Sequence, residues 1–305
     1  MSDETTYLSE LPAGAVEEHL DQTAALWGEG HPRDVRLRET LRELAAWGPQ
    51  RLRLAGLVGG TGALVSSLER FGLRLQGPDG PVAAIGLGSI FTPEPERGRG
   101  LARRLIRLVM EEARVEGCSA VLLFSDIAPE YYERLGFVRY PAQRWTVPLS
   151  SLPQAAPLET RPAADADIGR LLEWYESSFP ASVLRPIRDL ESWRAFRRKN
   201  SQSPDLVLLE DGVAVGYLNL ARAPERLWIN EYAPARLSAE RVWATAARHG
   251  AEAGAAEMGG WVRLDPLPPA AALRDRPRAI PMIAPLDSRL ELQGAVTHFD
   301  AIDHF

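Results

Sequence analysis

The residues of this chain best suited to chemistry lie in "FTPEPERGRGLARRLIRLVMEEARVEG", Phe91 to Gly117. An apolar run, "VAAIGLGSIF", ends here; a Pro/Glu/Arg/Gly segment follows, and a long amphipathic helix begins. Arg97, Gly98, Arg99 and Gly100 stand at the helix mouth, Leu101 and Ala102 open the helix, and Arg103 and Arg104 lie one turn in. A helix N-terminus exposes unpaired N–H groups and a partial positive charge. Glycines let a backbone approach an anion closely. The pattern predicts a pyrophosphate held by backbone N–H groups. The helix field alone contributes only about 1 kcal/mol, so several N–H contacts and an arginine are needed to make a site. Taken by itself, the segment also fits a solvated basic helix start.

The elements that must position this loop follow from periodicity. "TTYLSEL" reads as a short strand. "AVEEHLDQTAALWGE" places Val16, Leu20, Ala24 and Leu26 or Trp27 on one helical face. "RDVRLRETLRELAAWG" repeats that pattern with Val35, Leu37, Leu41, Leu44 and Trp47, and Gly48 stops it. "RLRLAGLVGG", "TGALVSSLERFGLRLQ" and "PVAAIGLGSIF" predict three strands joined by Gly-containing turns. After the loop and its helix, "SAVLLFS" predicts a buried strand, "PEYYERLG" a short helix closed by glycine, and "FVRYP" and "QRWTVPL" two last strands.

A chain of 305 residues suggests about two domains. Prolines recur at 141, 148, 153, 157 and 162, and "LSSLPQAAPLE" reads as a linker. This divides the chain into residues 1–150 and 151–305. The second part repeats the order of elements. It has two helices ("DIGRLLEWYESSF" and "ESWRAFRRKN"), a hairpin turning at Asp211-Gly212, and the strand "RLWINEYAP". A helix between Ser238 and Gly254, the strand "GGWVRLDP" and a last strand in "RAIPMIAPL" complete it. The aromatic group Trp174, Tyr175, Phe179, Trp193 and Phe196, with Trp228 and Trp243, reads as core.

Composition excludes several classes. No apolar run approaches the ~20 residues of a membrane span, and the acidic start "MSDETTYLSE" has no signal-peptide core. With Cys118 the only cysteine, no intrachain disulfide can form. Together these predict a cytoplasmic protein. The formal net charge of −6 argues against nucleic acid as the partner. The five histidines show no metal-ligand spacing, so no metal is expected. A homo-oligomer is left open.

Arg97-Gly98-Arg99-Gly100-Leu101-Ala102 resembles the Arg/Gln-x-x-Gly-x-Gly/Ala signature of the GCN5-related N-acetyltransferases (GNATs), and it stands between the fourth strand and third helix, where that family carries it. Downstream, "YYERLGF", Tyr131 to Phe137, resembles the family's "FYEKLGF" segment. The resemblance covers roughly Thr6 to Leu149. It implies an α/β (α+β) fold of two GNAT-like domains, each a mixed, mostly antiparallel sheet flanked by helices. It implies acetyl-CoA as donor and an amine as acceptor. In such folds the strand before the loop splays from its neighbour and its backbone pairs with the pantetheine arm, which maps to Ser89, Ile90, Phe91 and Thr92. Arg97, Gly98, Arg99, Gly100, Leu101, Ala102 and Arg103 would then hold the pyrophosphate.

The resemblance also implies a proton donor. Tyr132 matches the tyrosine that commonly protonates the leaving thiolate, and a phenol of pKa ~10 suits a thiolate of comparable basicity. The attacking amine must be neutral, and a lysine-like ammonium of pKa ~10.4 needs a base at pH 7. Asp126, in "FSDIAPE", is the first candidate, although an N-cap for the following helix fits it equally well. The second is the carboxylate of Phe305: the chain ends "HFDAIDHF", and the enhanced-intracellular-survival acetyltransferases, which this chain resembles, use a C-terminal carboxylate so. A frayed terminus is the commoner fate. "IFTP", "RGRGLA", "LFSDI" and "YYERLGF" together are similar to fungal lysine N6-acetyltransferases, which suggests a free amino acid or small amine as acceptor. Glu17, Glu29 and Asp34 are candidates to meet its ammonium, and Trp27 or Trp47 to line its path.

The second part lacks this chemistry: "YAPARLSAERVW" at the equivalent junction has no glycine, and no tyrosine follows "GGWVRLDP". It reads as a degenerate GNAT-like domain that cannot hold CoA. Three alternatives compete with the small-molecule N-acetyltransferase. A nicotinamide-binding turn in "LAGLVGGTGALVSSL" is broken at Val65, where a third glycine belongs. An acyl-CoA-binding sensor or scaffold would keep the fold and lose turnover. A protein lysine or N-terminal acetyltransferase would suit the acidic balance.

Overall fold

In the computed structural model, residues 5–27, 30–152, 155–199, 202–233, 237–263, 266–290, 292 and 295–304 are described. The first part of the chain runs β1 (Thr6–Leu8), α1 (Ala13–Trp27), α2 (Arg33–Trp47), β2 (Leu52–Val58), β3 (Leu64–Gly77) and β4 (Gly80–Phe91). It continues through α3 (Leu101–Val115), β5 (Ala120–Ser125), α4 (Glu130–Glu133), β6 (Val138–Arg139) and β7 (Gln143–Pro148). The second part runs β8 (Glu159–Pro162), α5 (Ile168–Ser177), β9 (Arg185–Pro186), α6 (Leu190–Lys199), β10 (Asp205–Glu210), β11 (Val213–Ala223) and β12 (Arg226–Ala233). It ends with α7 (Ala239–Glu252), β13 (Glu257–Trp261), β14 (Ala272–Asp275) and β15 (Ile280–Pro285).

Two sheets result, one of eight strands and one of seven. The first has the order β1-β2-β3-β4-β5-β15-β6, with β9 added beside β3. The second has the order β14-β7-β13-β12-β11-β10-β8. Among the described residues all pairs of these strands are antiparallel except β4 with β5 and β12 with β13. Those two pairs are joined by α3 and α7, because a parallel pair needs a crossover long enough to return the chain to the same end.

The boundary expected near residue 150 is crossed twice. β7, expected as a last strand of the first sheet, lies in the second, between β13 and β14. β15, expected in the second part's own sheet, lies in the first, between β5 and β6. The exchange has a physical reason. "IPMIAP" is apolar on both faces, and Met282, Ile283 and Ala284 are at most 1% exposed, so it needs a central position. Its neighbour "AVLLFS" is buried throughout.

Helices cover both faces of each sheet. α3 buries Leu101, Leu105, Ile106, Val109, Met110 and Ala113, one stripe of a 3.6-residue period, against the face of the first sheet that β2, β3 and β4 present. On the opposite face, Val16 of α1 and half-buried Leu44 of α2 pack on Leu54 and Leu64. Two expected apolar positions are exposed instead, Leu26 at 61% and Leu41 at 46%. The face of α1 turns toward His19, whose Nδ1 meets Ser67 Oγ at 2.8 Å, and Thr23, whose hydroxyl donates to His19 O. In the second sheet α7 packs on one face, and α5 and α6 on the other.

The second part closes around a buried charge network. Arg188 pairs with Glu231 and with Asp303, 2.7 Å away, and all three are almost fully buried. Its guanidinium lies 4.1 Å from the Tyr175 ring centre and 5.1 Å from that of Trp193, which settles these aromatics as core. The side chain of Phe196 lies outside the described residues. Trp243 is core as expected, whereas Trp228 is half-buried and lines a cavity. Replacing Arg188 with Met strands two buried carboxylates and is expected to cost about 3–5 kcal/mol, read as a lowered denaturant midpoint at unchanged slope.

Candidate active site

The first sheet opens where β4 and β5 part. Their ladder runs from Ala84 opposite Ala120 to Leu87 opposite Leu123 and stops there. β4 continues to Phe91 with no strand partner on that side among the described residues. The departure is built by a bulge: Ser89 takes a positive φ of 47°, and the β3–β4 register shifts between Ser67 and Glu69. Ser89 Oγ donates to Glu69 Oε2 at 2.9 Å, and Ser66 Oγ donates to the Phe91 carbonyl at 3.0 Å. Thus Ser89, Ile90, Phe91 and Thr92 form a strand end anchored on the β3 side and open on the β5 side.

The open strand leads into the helix mouth. Gly98 and Gly100 have φ of 81° and 76°, a left-handed region costly for any residue with a Cβ. The first helical bond of α3 runs from Arg104 N–H to Gly100 O, at 3.0 Å. The amides of Leu101, Ala102 and Arg103 therefore precede any intrahelical acceptor. No side chain caps them, and the first turn contains no acid. Arg97 is spent within the loop, its Nε donating to Thr92 O at 3.1 Å, and Arg99 pairs with Glu96. Arg104 reaches Thr5 O. Arg103 has no hydrogen-bonded or ionic partner among the described residues, and with Arg107 it lines a shallow groove beside Gly100. Arg107 was not singled out in the sequence, although its spacing of four from Arg103 puts both on one face.

Tyr132 is 8% exposed and belongs to the apolar cluster that also holds Leu87, Leu101 and Leu123, so it sits where β4, β5 and the start of α3 converge. Its ring meets Phe137 at 5.9 Å and Tyr131 at 5.0 Å. No hydrogen bond holds its hydroxyl among the described residues. Burial pushes its phenol well above the ordinary tyrosine value, and the neighbouring Tyr131 and Asp126 push it further. It therefore carries its proton at neutral pH. Tyr131 is raised as well, by burial; it is only half-buried, and Arg103 and Arg134 oppose the effect.

Asp126 is exposed just past β5, and its Oδ1 accepts the Ala279 N–H at 2.9 Å. It does not cap α4, whose N-cap residue is Pro129. Phe305 lies outside the described residues, as does Glu29. Of the other acids expected to meet an amine, Glu17 is paired with Arg33 at 3.0 Å, and Asp34 is exposed in the first turn of α2. The side chain of Trp27 lies outside the described residues, and Trp47 packs edge-on against Phe71 in the core. A different set gathers beside the bulge. Glu39 and Glu43 of α2 and Glu69 of β3 line a cavity of about 240 Å³ together with His19, His31, Ser89 and Arg36, whose Nη1 donates to Leu20 O, so that acids outnumber the arginine three to one. Burial lowers His19 to about 4, so its imidazole is neutral. The spacing of four between Glu39 and Glu43 was the available signal. Glu69, one acid within the strand "VSSLERF", gave none of its own.

The second sheet parts at the corresponding place, but its edge and the helix that follows are not built for the same ligand. β12 and β13 pair as far as Ile229 opposite Gly260. Beyond that, Arg263 Nη2 donates to Tyr232 O at 2.9 Å, and the turn at Ala301–Asp303 packs against β12. The first turn of α7 carries Glu240, which would repel an anion. Among the described residues, no group of three or more His, Cys, Asp or Glu is placed to hold a metal. No helix among them is long and apolar enough to cross a membrane.

Comparison with known proteins gives consistent results. A family model described as an acetyltransferase (GNAT) domain matches residues 14–139. Glucosamine 6-phosphate N-acetyltransferase 1 of Oryza sativa subsp. japonica is 33% identical over 113 residues, 35% of this chain and 64% of the rice protein. The match thus spans less than two thirds of that relative. A GCN5-related N-acetyltransferase from Kribbella flavida superposes with a TM-score of 0.69 at 16% identity, covering 92% of this chain and 71% of its own. A conserved Enterococcus faecalis protein described as a probable N-acyltransferase gives 0.73 at 15%, covering 92% and 72%. Eis1 from Mycobacterium abscessus gives 0.63 at 15%, covering 93% and 74%. At these identities the structural likeness is one of fold, and it extends over both sheets.

Proposed function

We propose that this chain, whose residues 14–139 match a family model described as an acetyltransferase (GNAT) domain, transfers an acetyl group from acetyl-CoA to a primary amine of a small molecule or amino acid by direct attack. The observation that carries the reading is the parting of β4 from β5 beyond Leu87, directly before an uncapped, acid-free helix N-terminus. The residues present fit the donor. The free edge of Ser89–Thr92 suits the amide groups of a pantetheine arm. The amides of Leu101, Ala102 and Arg103 and the guanidinium of Arg103 suit a pyrophosphate. Acetyl-CoA supplies the reactive thioester carbonyl.

The chain's own groups then have distinct tasks. Asp126 takes the proton that the ammonium must lose, directly or through water. Tyr132 returns a proton to the departing sulfur. The carboxylates beside Ser89 favour an incoming cation. The second sheet contributes walls rather than a second donor site, because its equivalent edge is taken by Arg263.

Calorimetric titration of acetyl-CoA tests this first. One site per chain at micromolar affinity is expected, and an amine panel scored by CoA release should then show turnover. Two sites would overturn the assignment of the second sheet. Saturable binding without turnover on any amine would favour the sensor. No binding would remove the reading of the helix mouth.

Arg103 gives a sharper check. Arg103→Glu places an acid in the first turn of α3, which the helix field tolerates or favours. Thermal stability should be retained, while the acetyl-CoA dissociation constant rises at least about tenfold. An unchanged dissociation constant would mean that the pyrophosphate lies elsewhere.

A further inference from the structure

A cavity of about 350 Å³ opens where β12 and β13 separate, lined by Trp228, Asn230, Trp261, Arg276, Arg278 and Ala279. Arg276 is its unusual member. It is 8% exposed, and its Nε and Nη1 are buried without a hydrogen-bond partner among the described residues. Its guanidinium lies flat on Trp261, 3.4 Å from the ring centre, and its backbone N–H is fixed to Ala142 O at 2.8 Å. Every other charged side chain lining the cavity, Arg144 and Arg278, is also basic. Burial pulls Arg276 down to about 10, and among the described residues no acid opposes this effect. The other buried arginines of the second part have partners: Arg185 meets Glu176, Arg188 meets Glu231 and Asp303, and Arg263 meets Asp300. A buried charge held on an aromatic face without a counter-ion is a standing cost. A planar fork of free N–H donors fits a carboxylate or a phosphate.

The cavity adjoins the proposed reaction centre. Ala279, which lines it, donates its N–H to Asp126 at 2.9 Å. Trp261, which floors it, packs against Phe124 of β5 with ring centres 6.1 Å apart. The end of β5 thus separates the cavity from the parting of β4 and β5.

We infer that this cavity is a subsite for an anionic group, a carboxylate or a phosphate, carried by the acceptor amine, and that Arg276 is the residue that reads it. The assignment to the acceptor rests on the acetyltransfer reading; the anion site itself does not. Function would then be divided between the sheets: the first holds the donor and the second selects acceptors with an acid a few bonds from the amine.

The experiment compares the full chain with Arg276→Met, which keeps a stem on Trp261 and removes the unpaired charge. Thermal unfolding is followed at constant ionic strength while chloride is replaced by acetate in one arm and by inorganic phosphate in the other. The wild type should rise saturably, by about 3 °C, and the arm with the larger rise names the anion. Without added anion, Arg276→Met should melt no lower than the wild type, and its response should be lost. An equal response in both proteins, or a variant that melts lower without anion, would overturn the site. In a second readout, CoA release is measured on matched amines: an amino acid against its carboxamide, and O-phosphoethanolamine against ethanolamine. The acid-bearing member of at least one pair should be preferred at least about tenfold in kcat/KM. The variant should lose that preference with acetyl-CoA affinity unchanged. Equal rates within both pairs would overturn the acceptor assignment. Acetyl-CoA binding with no turnover on any amine would sink the acetyltransfer reading and the acceptor assignment, leaving the melting response to decide the anion site.

Discussion

Neither residues 1–150 nor residues 151–305, produced alone, are expected to fold, although each contains most of one sheet. Cutting at 150 removes β15 from between β5 and β6 and leaves β7 attached to the wrong part. β15 pairs with β5 over Ile280 to Pro285 and with β6 at Met282 and Ile283. Met282 and Ile283 are fully buried, and burying such a side chain is worth roughly 1.5–3 kcal/mol. Their loss, with that of the ladder, is comparable to the 5–15 kcal/mol that stabilises a typical domain. The cut also exposes the apolar strand "AVLLFS" as a long edge, which invites aggregation. Separate expression should give insoluble or molten material, with no cooperative melting and little near-ultraviolet dichroism. A repaired fragment separates topology from mere shortening. Residues 1–140, joined by a short turn to residues 278–287, restore the central strand and should recover a cooperative transition. A monomeric fragment 1–150 that melts cooperatively would show that the exchanged strand is dispensable.

The exchange shows what the sequence could and could not express. The existence of nearly every element was legible, because a helix or strand is written in local periodicity: the stripe of α3 and the buried run of β5 need no partner to be recognised. The Asp211-Gly212 turn was legible for the same reason, since both residues take the positive φ that a two-residue hairpin requires. The sheet that receives a strand is not local information. "RAIPMIAPL" states that it must be buried on both faces, and nothing in it distinguishes a place beside β5 from one beside β13. The site divides in the same way. The helix mouth and Tyr132 lie in short continuous motifs, so their spacing was visible. Glu39, Glu43 and Glu69 meet only because α2 and β3 fold together, and Arg276 gains meaning only from the Trp261 ring beneath it and the absence of any acid beside it among the described residues. Helix faces were misread where a polar pair replaced an apolar contact, as His19 with Ser67 does on α1.

Tyr132→Phe is expected to lower kcat by about 100-fold while leaving acetyl-CoA affinity and thermal stability unchanged. The ring packs on Phe137 and Tyr131 within the apolar cluster, and phenylalanine keeps those contacts. The hydroxyl has no hydrogen-bond partner among the described residues, so its removal strands nothing. The change is confined to one proton donor, and the loss should fall on kcat and kcat/KM alike, as for an interaction made only in the transition state. The pH dependence sharpens the test. Burial raises the phenol above its ordinary value near 10, so its proton is retained across the neutral range. Tyr132 therefore cannot produce a fall in activity between pH 7 and about 9.5. Any limb there belongs to the base or the amine, and the variant should trace the same profile at reduced height. Tyr131→Phe serves as the control. That ring is half-buried on the neighbouring position, and its substitution should leave kcat within about twofold. Full activity in Tyr132→Phe would hand the protonation to water or another group. A large loss in Tyr131→Phe alone would exchange the two roles, and would place the leaving sulfur on the Arg103 side of α4.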